Sequence, residues 1–113
     1  MSVNKRLMKN YQFLKEMYDD DYFPNFLVDK IKGILVELCE QIEREVPKSQ
    51  ESLFVFTHEA TRKINALDDA FEKNESELET GARESIAEDF QYIVCAYGFN
   101  DVDIEDVIAP RDW

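Results

Sequence analysis

The feature that most constrains this chain is its scarcity of residues that break helices. Its 113 residues include only three glycines and three prolines, and between them apolar side chains recur every three or four positions. That spacing places the apolar groups on one face of an α-helix, and this face must be buried against other helices. The pattern predicts an all-α fold, with residues 1–113 forming a single-domain bundle of four main helices plus a short C-terminal helix.

The first two predicted helices are separated by three consecutive aspartates and a proline. The first spans Val3–Tyr18, and Pro24 prevents its continuation. The second spans Phe26–Val46, with Asn25 as its N-cap. The residues expected to face the core are Leu7, Tyr11, Leu14 and Tyr18 in the first helix, and Leu27, Val28, Ile31, Ile34, Leu35, Leu38, Ile42 and Val46 in the second.

The third predicted helix, Glu51–Lys73, has an apolar inward face and an opposite face of mixed composition. Where a solvent-exposed helix would carry Glu and Lys, this opposite face has an aromatic residue, the only histidine of the chain and short polar groups. A covering segment or a binding partner would explain this composition. The inward residues are Leu53, Phe56, Ala60, Ile64, Leu67 and Phe71, and the opposite face, here called the outer stripe, comprises Phe54, His58, Thr61, Arg62 and Asn65.

The fourth predicted helix opens with a capping-box sequence, Ser76–Glu79, and ends at Gly98. Extending its apolar line backward places Glu79 and Arg83 on the inward side, one turn apart. We expect these two side chains to form an inward-facing ion pair near the outer stripe, with Glu79 also bonding the Ser76 amide. The apolar line comprises Ala82, Ile86, Phe90, Ile93, Val94 and Tyr97.

The segment Ile104–Trp113, here called the tail, carries more apolar surface than a free segment would. Asp103 can cap a short fifth helix over Ile104–Ala109. We expect the tail to dock over the outer stripe and over the Cys95 face of the fourth helix, with His58 hydrogen-bonded to a carboxylate of the tail. Cys39 borders the apolar line of the second helix, so we expect its thiol to be buried and unreactive.

Acidic residues outnumber basic ones and are unevenly distributed. The net charge is -12, and residues 51–113 hold 16 acidic against 5 basic residues. This charge argues against nucleic acids and anionic membranes as partners, because both are bound through Lys and Arg. It is consistent with a solvated surface or with a docking face for a basic protein. Residues 1–10 are polar and basic, so we expect a cytoplasmic protein without a signal peptide.

The motifs of common catalytic and cofactor sites are missing from the sequence. One histidine excludes His-rich metal sites, and no Gly-rich loop is present to cradle a phosphate. Two cysteines without a Cys-x-x-Cys spacing fit a reducing compartment. We therefore expect no cofactor and no metal, and the case for an enzyme is weak. The pattern indicates no particular oligomeric state.

Several short segments of the sequence form a recognisable set. They are Leu27-Val28, Leu38-Cys39, Ile42-Glu43, Thr57-His58-Glu59-Ala60, Ile64-Asn65, Glu77-Leu78-Glu79-Thr80, Ala82-Arg83-Glu84, Ala96-Tyr97-Gly98 and Arg111-Asp112-Trp113. With these segments the chain resembles a family of small bacterial proteins known as a domain of unknown function. The resemblance implies a mainly helical protein over nearly the whole chain, and it assigns no activity, substrate or catalytic residue.

Two functional hypotheses follow from these observations. The first is a non-enzymatic interaction module, meaning an inhibitor, an immunity-like protein or an adaptor, that binds a basic partner. The second is a small-molecule binder or small enzyme with a polar pocket around His58, between the third and fourth helices. The candidate binding residues are Phe54, His58, Thr61, Arg62, Asn65, Glu79, Arg83 and Trp113.

Overall fold

The structure, a computed structural model, describes residues 11–113, and these residues form helices and no strand. The predicted all-α class is confirmed. In chain order, the helices of the described residues are α1 (Lys15–Asp19), α2 (Asn25–Glu45), α3 (Gln50–Asn65), α4 (Asp68–Lys73), α5 (Thr80–Ala96) and α6 (Ile104–Val107).

Helices α2 and α3, which follow each other in the chain, pack against each other. Helix α2 starts at Asn25, one residue earlier than predicted, with Pro24 as its cap. The Ser49 side chain caps α3. Most of the predicted face of α2 is buried, but Ile34 is only partly buried and Val46 is 52% exposed. Val46 leaves the face because it follows the helix end with a left-handed backbone, φ 47°.

The third predicted helix is divided into α3 and α4. Leu67 leaves the α-helical hydrogen-bond pattern, because its N–H donates to the carbonyl of Ile64, three residues back, at 2.9 Å. Ala66 and Leu67 keep a right-handed backbone, so the inward face continues across the break. Of the predicted inward residues, Leu53, Ala60, Ile64 and Phe71 are buried, whereas Phe56 and Leu67 are partly buried.

The first predicted helix is wrong over residues 11–14, and residues 3–10 lie outside the described part of the chain. Helix α1 begins only at Lys15. Leu14 has a left-handed backbone, φ 56°, and its side chain is completely buried. In a continuous helix its N–H would bond the carbonyl of residue 10. Here that N–H donates to the carboxylate of Asp89, in α5, at 2.7 Å, so a tertiary contact replaces the helical bond.

The predicted capping box is also wrong. Glu75 has a left-handed backbone, φ 59°, and the Ser76 N–H donates to the carbonyl of Phe71 at 2.9 Å. These are features of a Schellman motif, which closes α4 and makes the Ser76 amide unavailable to Glu79. Glu79 caps α5 itself, because its carboxylate accepts a hydrogen bond from the Gly81 N–H at 3.2 Å.

The end of α5 and the start of α6 follow the sequence prediction. Gly98 has φ +96°, and the Phe99 N–H donates to the carbonyl of Val94 at 2.9 Å, so a Schellman motif ends α5. Asp103 caps α6 by accepting a main-chain hydrogen bond at 2.9 Å. Helix α6 stops at Val107, two residues before the predicted end. It contacts both α3 and α5, which brings the tail to the outer stripe.

Candidate functional site

The outer stripe of α3 is covered to different degrees along its length. Thr61 is buried, whereas Arg62 is exposed. Phe54, His58 and Asn65 are partly buried. Because α6 packs on α3, the tail supplies part of this cover. The predicted docking of the tail over the outer stripe is confirmed.

His58 connects the middle of the outer stripe to α6. Its Nε2 lies 2.7 Å from the main-chain carbonyl oxygen of Asp106. A carbonyl only accepts hydrogen bonds, so Nε2 carries the proton and donates. The prediction that His58 bonds a carboxylate is therefore wrong, because the acceptor is a main-chain carbonyl. The imidazole stacks on Phe54, with ring centroids 5.5 Å apart, and this contact orients the ring toward the tail.

Asn65 binds the tail through both ends of its amide. Its Nδ2 donates to the carbonyl of Pro110 at 3.0 Å, and its Oδ1 accepts from the Asp112 N–H at 2.9 Å. A side-chain amide has one acceptor and one donor group in fixed geometry, so it can satisfy a carbonyl and an N–H of one extended segment. Asn65 therefore holds the tail at the last residue of α3.

Trp113 is buried by this arrangement, with 8% of its surface exposed. The Arg111 guanidinium carbon lies 5.6 Å from the centroid of the Trp113 ring, within the range of a cation–π contact. Arg111 also pairs with Glu105 at 3.2 Å, which links the two ends of the tail. The indole Nε1 is buried without a hydrogen-bond partner among the described residues. Trp113 thus acts in this structure as packing for the tail.

Thr61 and Arg62 belong to the outer stripe but do not hydrogen-bond to the tail. The Thr61 hydroxyl donates to the carbonyl of Thr57 at 2.8 Å, within α3. Its hydrogen-bonding capacity is directed at its own helix, a common arrangement for a buried threonine. Arg62 extends into solvent. Of the five stripe residues, therefore, His58 and Asn65 are the two that hydrogen-bond to the tail.

The predicted inward pair of Glu79 and Arg83 is wrong. Arg83 is exposed, and Glu79 is partly buried at the start of α5. No ion pair joins them among residues 11–113. The physical reason is the position of the helix start. Glu79 is the cap and not a residue of the first turn. Its carboxylate therefore accepts from the Gly81 N–H, two residues later in the chain.

Asp89 is a buried charged residue that the sequence reasoning missed. It lies on α5 and is only 4% exposed. Its Oδ1 accepts from the Tyr11 hydroxyl at 2.5 Å, and its Oδ2 accepts from the Leu14 N–H. The sequence held a signal for it, because Asp89 follows Ile86 by three positions and precedes Ile93 by four. A carboxylate on that line is on the buried face of the helix.

Cys39 lies beside a pair of partly buried polar side chains, Glu43 and Tyr97. Its side chain is completely buried, as expected, and burial raises the pKa of the thiol to about 12. The Tyr97 hydroxyl donates to the Glu43 carboxylate beside it. Burial is also the largest cause that raises the pKa of Tyr97. A thiol in this state is protonated at neutral pH and is a poor nucleophile. The raised pKa supports the prediction that Cys39 is unreactive.

Two surface cavities lie away from the outer stripe. The larger, about 470 Å³, is lined by residues between Tyr11 and Asp19 and by Lys32. The smaller, about 410 Å³, lies at the turn between α2 and α3, beside Val55 and Phe56. Neither cavity includes His58 or Asn65.

Among residues 11–113, no group of three or more His, Cys, Asp or Glu side chains is arranged to hold a metal ion. None of the described helices combines the length and the apolar character needed to cross a bilayer.

The chain belongs to a family of unknown function (DUF5713), whose family model matches residues 7–113. The family resemblance seen in the sequence is confirmed. Neither the curated proteins nor the solved structures include a match. Because the family carries no assigned activity, function has to be argued from the surface and the buried groups of this chain.

Proposed function

We propose that this chain is a non-enzymatic protein-interaction module, an inhibitor, an immunity-like protein or an adaptor, that binds a basic protein partner in the cytoplasm. The cellular compartment is supported by its chemistry, because Cys39 and Cys95 are both free thiols and free thiols are typical of reducing compartments.

The observation that carries this proposal is the accessibility of the acidic side chains. Residues 51–113 hold 16 acidic residues against 5 basic ones, and all of the acidic ones are exposed except Asp89, which is buried, and Glu79, which is partly buried. Like charges on one part of a surface add to a common field, which attracts a partner of opposite charge. The described surface therefore favours a basic protein.

The tail brings the end of one acidic segment close to the start of another, at the C-terminal end of α3. Residues 68–77 and residues 101–112 each contain five acidic residues and a single basic one. Asn65 hydrogen-bonds the second segment at Pro110 and Asp112, and the first segment begins three residues after Asn65. The basic residue of the second segment, Arg111, is paired with Glu105. We infer that a basic partner docks where these two segments flank the end of α3.

The alternative function, a small-molecule binder or small enzyme around His58, requires that side chain to reach a ligand. In the structure His58 and Asn65 hydrogen-bond to main-chain groups of the tail. A ligand at this position would have to displace the tail and replace those hydrogen bonds. No observation favours that exchange, so the interaction module is the better-supported function.

The test combines capture of partners with the kinetics of binding. Proteins retained by the immobilised chain at low salt and released at high salt are purified, and their association rates are measured at several salt concentrations. One variant removes two negative charges from the proposed surface, Asp69→Asn with Glu72→Gln. A matched control removes one aspartate and one glutamate charge elsewhere, Asp21→Asn with Glu45→Gln. All four residues are exposed.

For a basic partner we expect the surface variant to slow association by roughly fivefold at low salt and the control by less than twofold, because electrostatic steering acts mainly on the association rate. High salt should remove the difference. Equal effects of the two variants, or an association rate that does not depend on salt, would contradict the proposal. A tight small-molecule ligand whose binding is lost in His58→Ala would support the alternative.

A further inference from the structure

The junction between the segment Tyr11–Asp19 and α5 is built on one buried carboxylate. Asp89 is 4% exposed, and both of its oxygens accept hydrogen bonds from this segment, from the Tyr11 hydroxyl at 2.5 Å and from the Leu14 N–H at 2.7 Å. The Tyr11 ring also stacks on Tyr92 of α5, with centroids 4.1 Å apart. Polar contacts between the segment and α5 therefore converge on Asp89.

The segment held by Asp89 contributes apolar side chains to the core and has one residue with an unfavourable backbone conformation. Phe13, Leu14 and Met17 are buried in the core. Leu14 has φ 56° and ψ 36°, a left-handed conformation that costs a residue other than glycine about 1 kcal/mol or more. The bond from the Leu14 N–H to Asp89 compensates for this conformation. If Asp89 separates from the Leu14 N–H, the segment loses the contact that keeps Leu14 in place.

Among residues 11–113, the charges of two glutamates act on Asp89. Glu16 comes from the attached segment and Glu88 from α5 itself, and each raises the pKa of Asp89. The Tyr11 hydroxyl also faces Asp89 and donates a hydrogen bond to it. No ion pair involves Asp89 within residues 11–113. Burial is the largest influence and outweighs the two hydrogen bonds, so the pKa rises from the usual 3.8 to about 6.

Protonation of Asp89 keeps both hydrogen bonds. A protonated carboxyl has one O–H donor and a second oxygen that still accepts. The O–H can donate to the Tyr11 oxygen while the other oxygen accepts from the Leu14 N–H. The ionised form makes the same number of bonds, but it also leaves a charge in an apolar environment beside two other acids, which is unfavourable.

We propose that this junction is a proton-controlled clamp, in which protonated Asp89 holds the segment Tyr11–Asp19 on α5 more tightly than ionised Asp89 does. The clamp is a regulatory device that is independent of the acidic surface proposed above. It acts on the apolar residues Phe13, Leu14 and Met17 and on the part of the core that they cover. Lower pH closes the clamp, and higher pH loosens it.

The size of the effect follows from proton linkage. In the open junction Asp89 is solvated and has its usual pKa of 3.8, whereas in the closed junction the pKa is about 6. The closed form therefore binds more protons between these values, and the equilibrium moves toward the open form as the pH rises through them. Between pH 5 and pH 8 the opening constant should increase about tenfold.

Amide hydrogen exchange of the intact chain tests the clamp. The amides of Leu14 and Tyr18 report the junction, because the first bonds Asp89 and the second bonds the carbonyl of Leu14 at 3.0 Å. After correction for intrinsic rates, their protection should be about tenfold lower at pH 8 than at pH 5. Amides in the middle of α2, between residues 31 and 38, are the internal reference and should change less.

Two variants assign the effect to Asp89. Asp89→Asn imitates the protonated acid, since its Oδ1 can accept from the Leu14 N–H while its Nδ2 donates to the Tyr11 oxygen. Its junction amides should lose the excess pH dependence over the α2 amides. The control Glu84→Gln removes an exposed carboxylate from the same helix and should keep that dependence.

Three results would overturn the clamp. They are junction amides whose protection is constant or increases from pH 5 to pH 8, an equal change in the α2 amides, and a pH dependence that persists in Asp89→Asn. If that variant does not fold, carboxyl NMR of the wild-type chain decides. A titration midpoint of Asp89 near 6 supports the clamp, and a midpoint near 4 or below contradicts it.

Discussion

The two ends of the described chain are attached to the helices by different chemistry. The segment Tyr11–Asp19 is held by Asp89, an ionisable side chain with 4% of its surface exposed. The tail is held by Asn65 and His58, which hydrogen-bond to its main-chain groups. The Asn65 amide has no ionisable group. We therefore expect the first attachment to depend on pH more strongly than the second.

The difference shows how burial changes the role of a polar side chain. An amide such as Asn65 satisfies a main-chain donor and acceptor without introducing a net charge. A buried carboxylate can satisfy two donors, but its ionised form has a desolvation cost that the hydrogen bonds offset only in part. One attachment is therefore mainly structural, and the other also responds to protons.

The largest expected effect comes from removal of the tail end. Deletion of residues 110–113 removes Trp113, which is 8% exposed, and both hydrogen bonds of Asn65. We expect the free energy of unfolding to fall by about 3–5 kcal/mol, the range for loss of a buried large aromatic side chain. Urea denaturation measures this, and the His58 ring resonances should shift. A truncated chain with unchanged stability and unmoved His58 resonances would mean that the tail is not attached as described.

Asn65→Ala sharpens the comparison by removing one neutral attachment. It leaves the Pro110 carbonyl and the Asp112 N–H without their partner, which should destabilise the chain by about 1–2 kcal/mol. Asn74→Ala is the matched control, because the Asn74 side chain is exposed and donates to the Ala70 carbonyl, four residues back in the chain. Thermal unfolding compares the two variants. If they melt alike, the amide of Asn65 is not what holds the tail.

The pH dependence of stability tests the charged attachment. The pKa of Asp89 is about 6 in the folded chain and 3.8 in its usual state. A raised pKa gives stability that is complete below 3.8 and is lost as the pH rises through 6. Relative to Asp89→Asn, the wild-type chain should lose about 1.4 kcal/mol between pH 5 and pH 8. The difference between their denaturation curves isolates this loss from the general charge of the chain, and a constant difference would refute it.

The smallest effect is expected at Arg83. Because this side chain is exposed and joins no ion pair among the described residues, Arg83→Ala should change stability by less than about 0.5 kcal/mol. Glu79→Ala, which removes a helix cap, should cost about 1 kcal/mol. A larger loss of stability in Arg83→Ala than in Glu79→Ala would support the inward ion pair that the sequence predicted.

Much of the attachment of the tail was visible in the sequence. The outer stripe replaced Glu and Lys with Phe54, His58 and Asn65, and the tail carried apolar residues that needed a surface to cover. The pairing of the two was predictable because each had a composition unsuited to solvent. The acceptor of His58 was not predictable, since a carboxylate and a main-chain carbonyl satisfy the same N–H.

The sequence by itself determined the helical class, the buried faces of α2 and α3 and the ends at Gly98 and Asp103, because each depends on residues within a few positions of one another. Only the tertiary structure decided where α1 begins, which residue caps α5 and how Asp89 is used. Each of these depends on which distant or competing group takes a main-chain N–H. Local spacing does not specify that choice, which depends on the contacts that the folded chain makes.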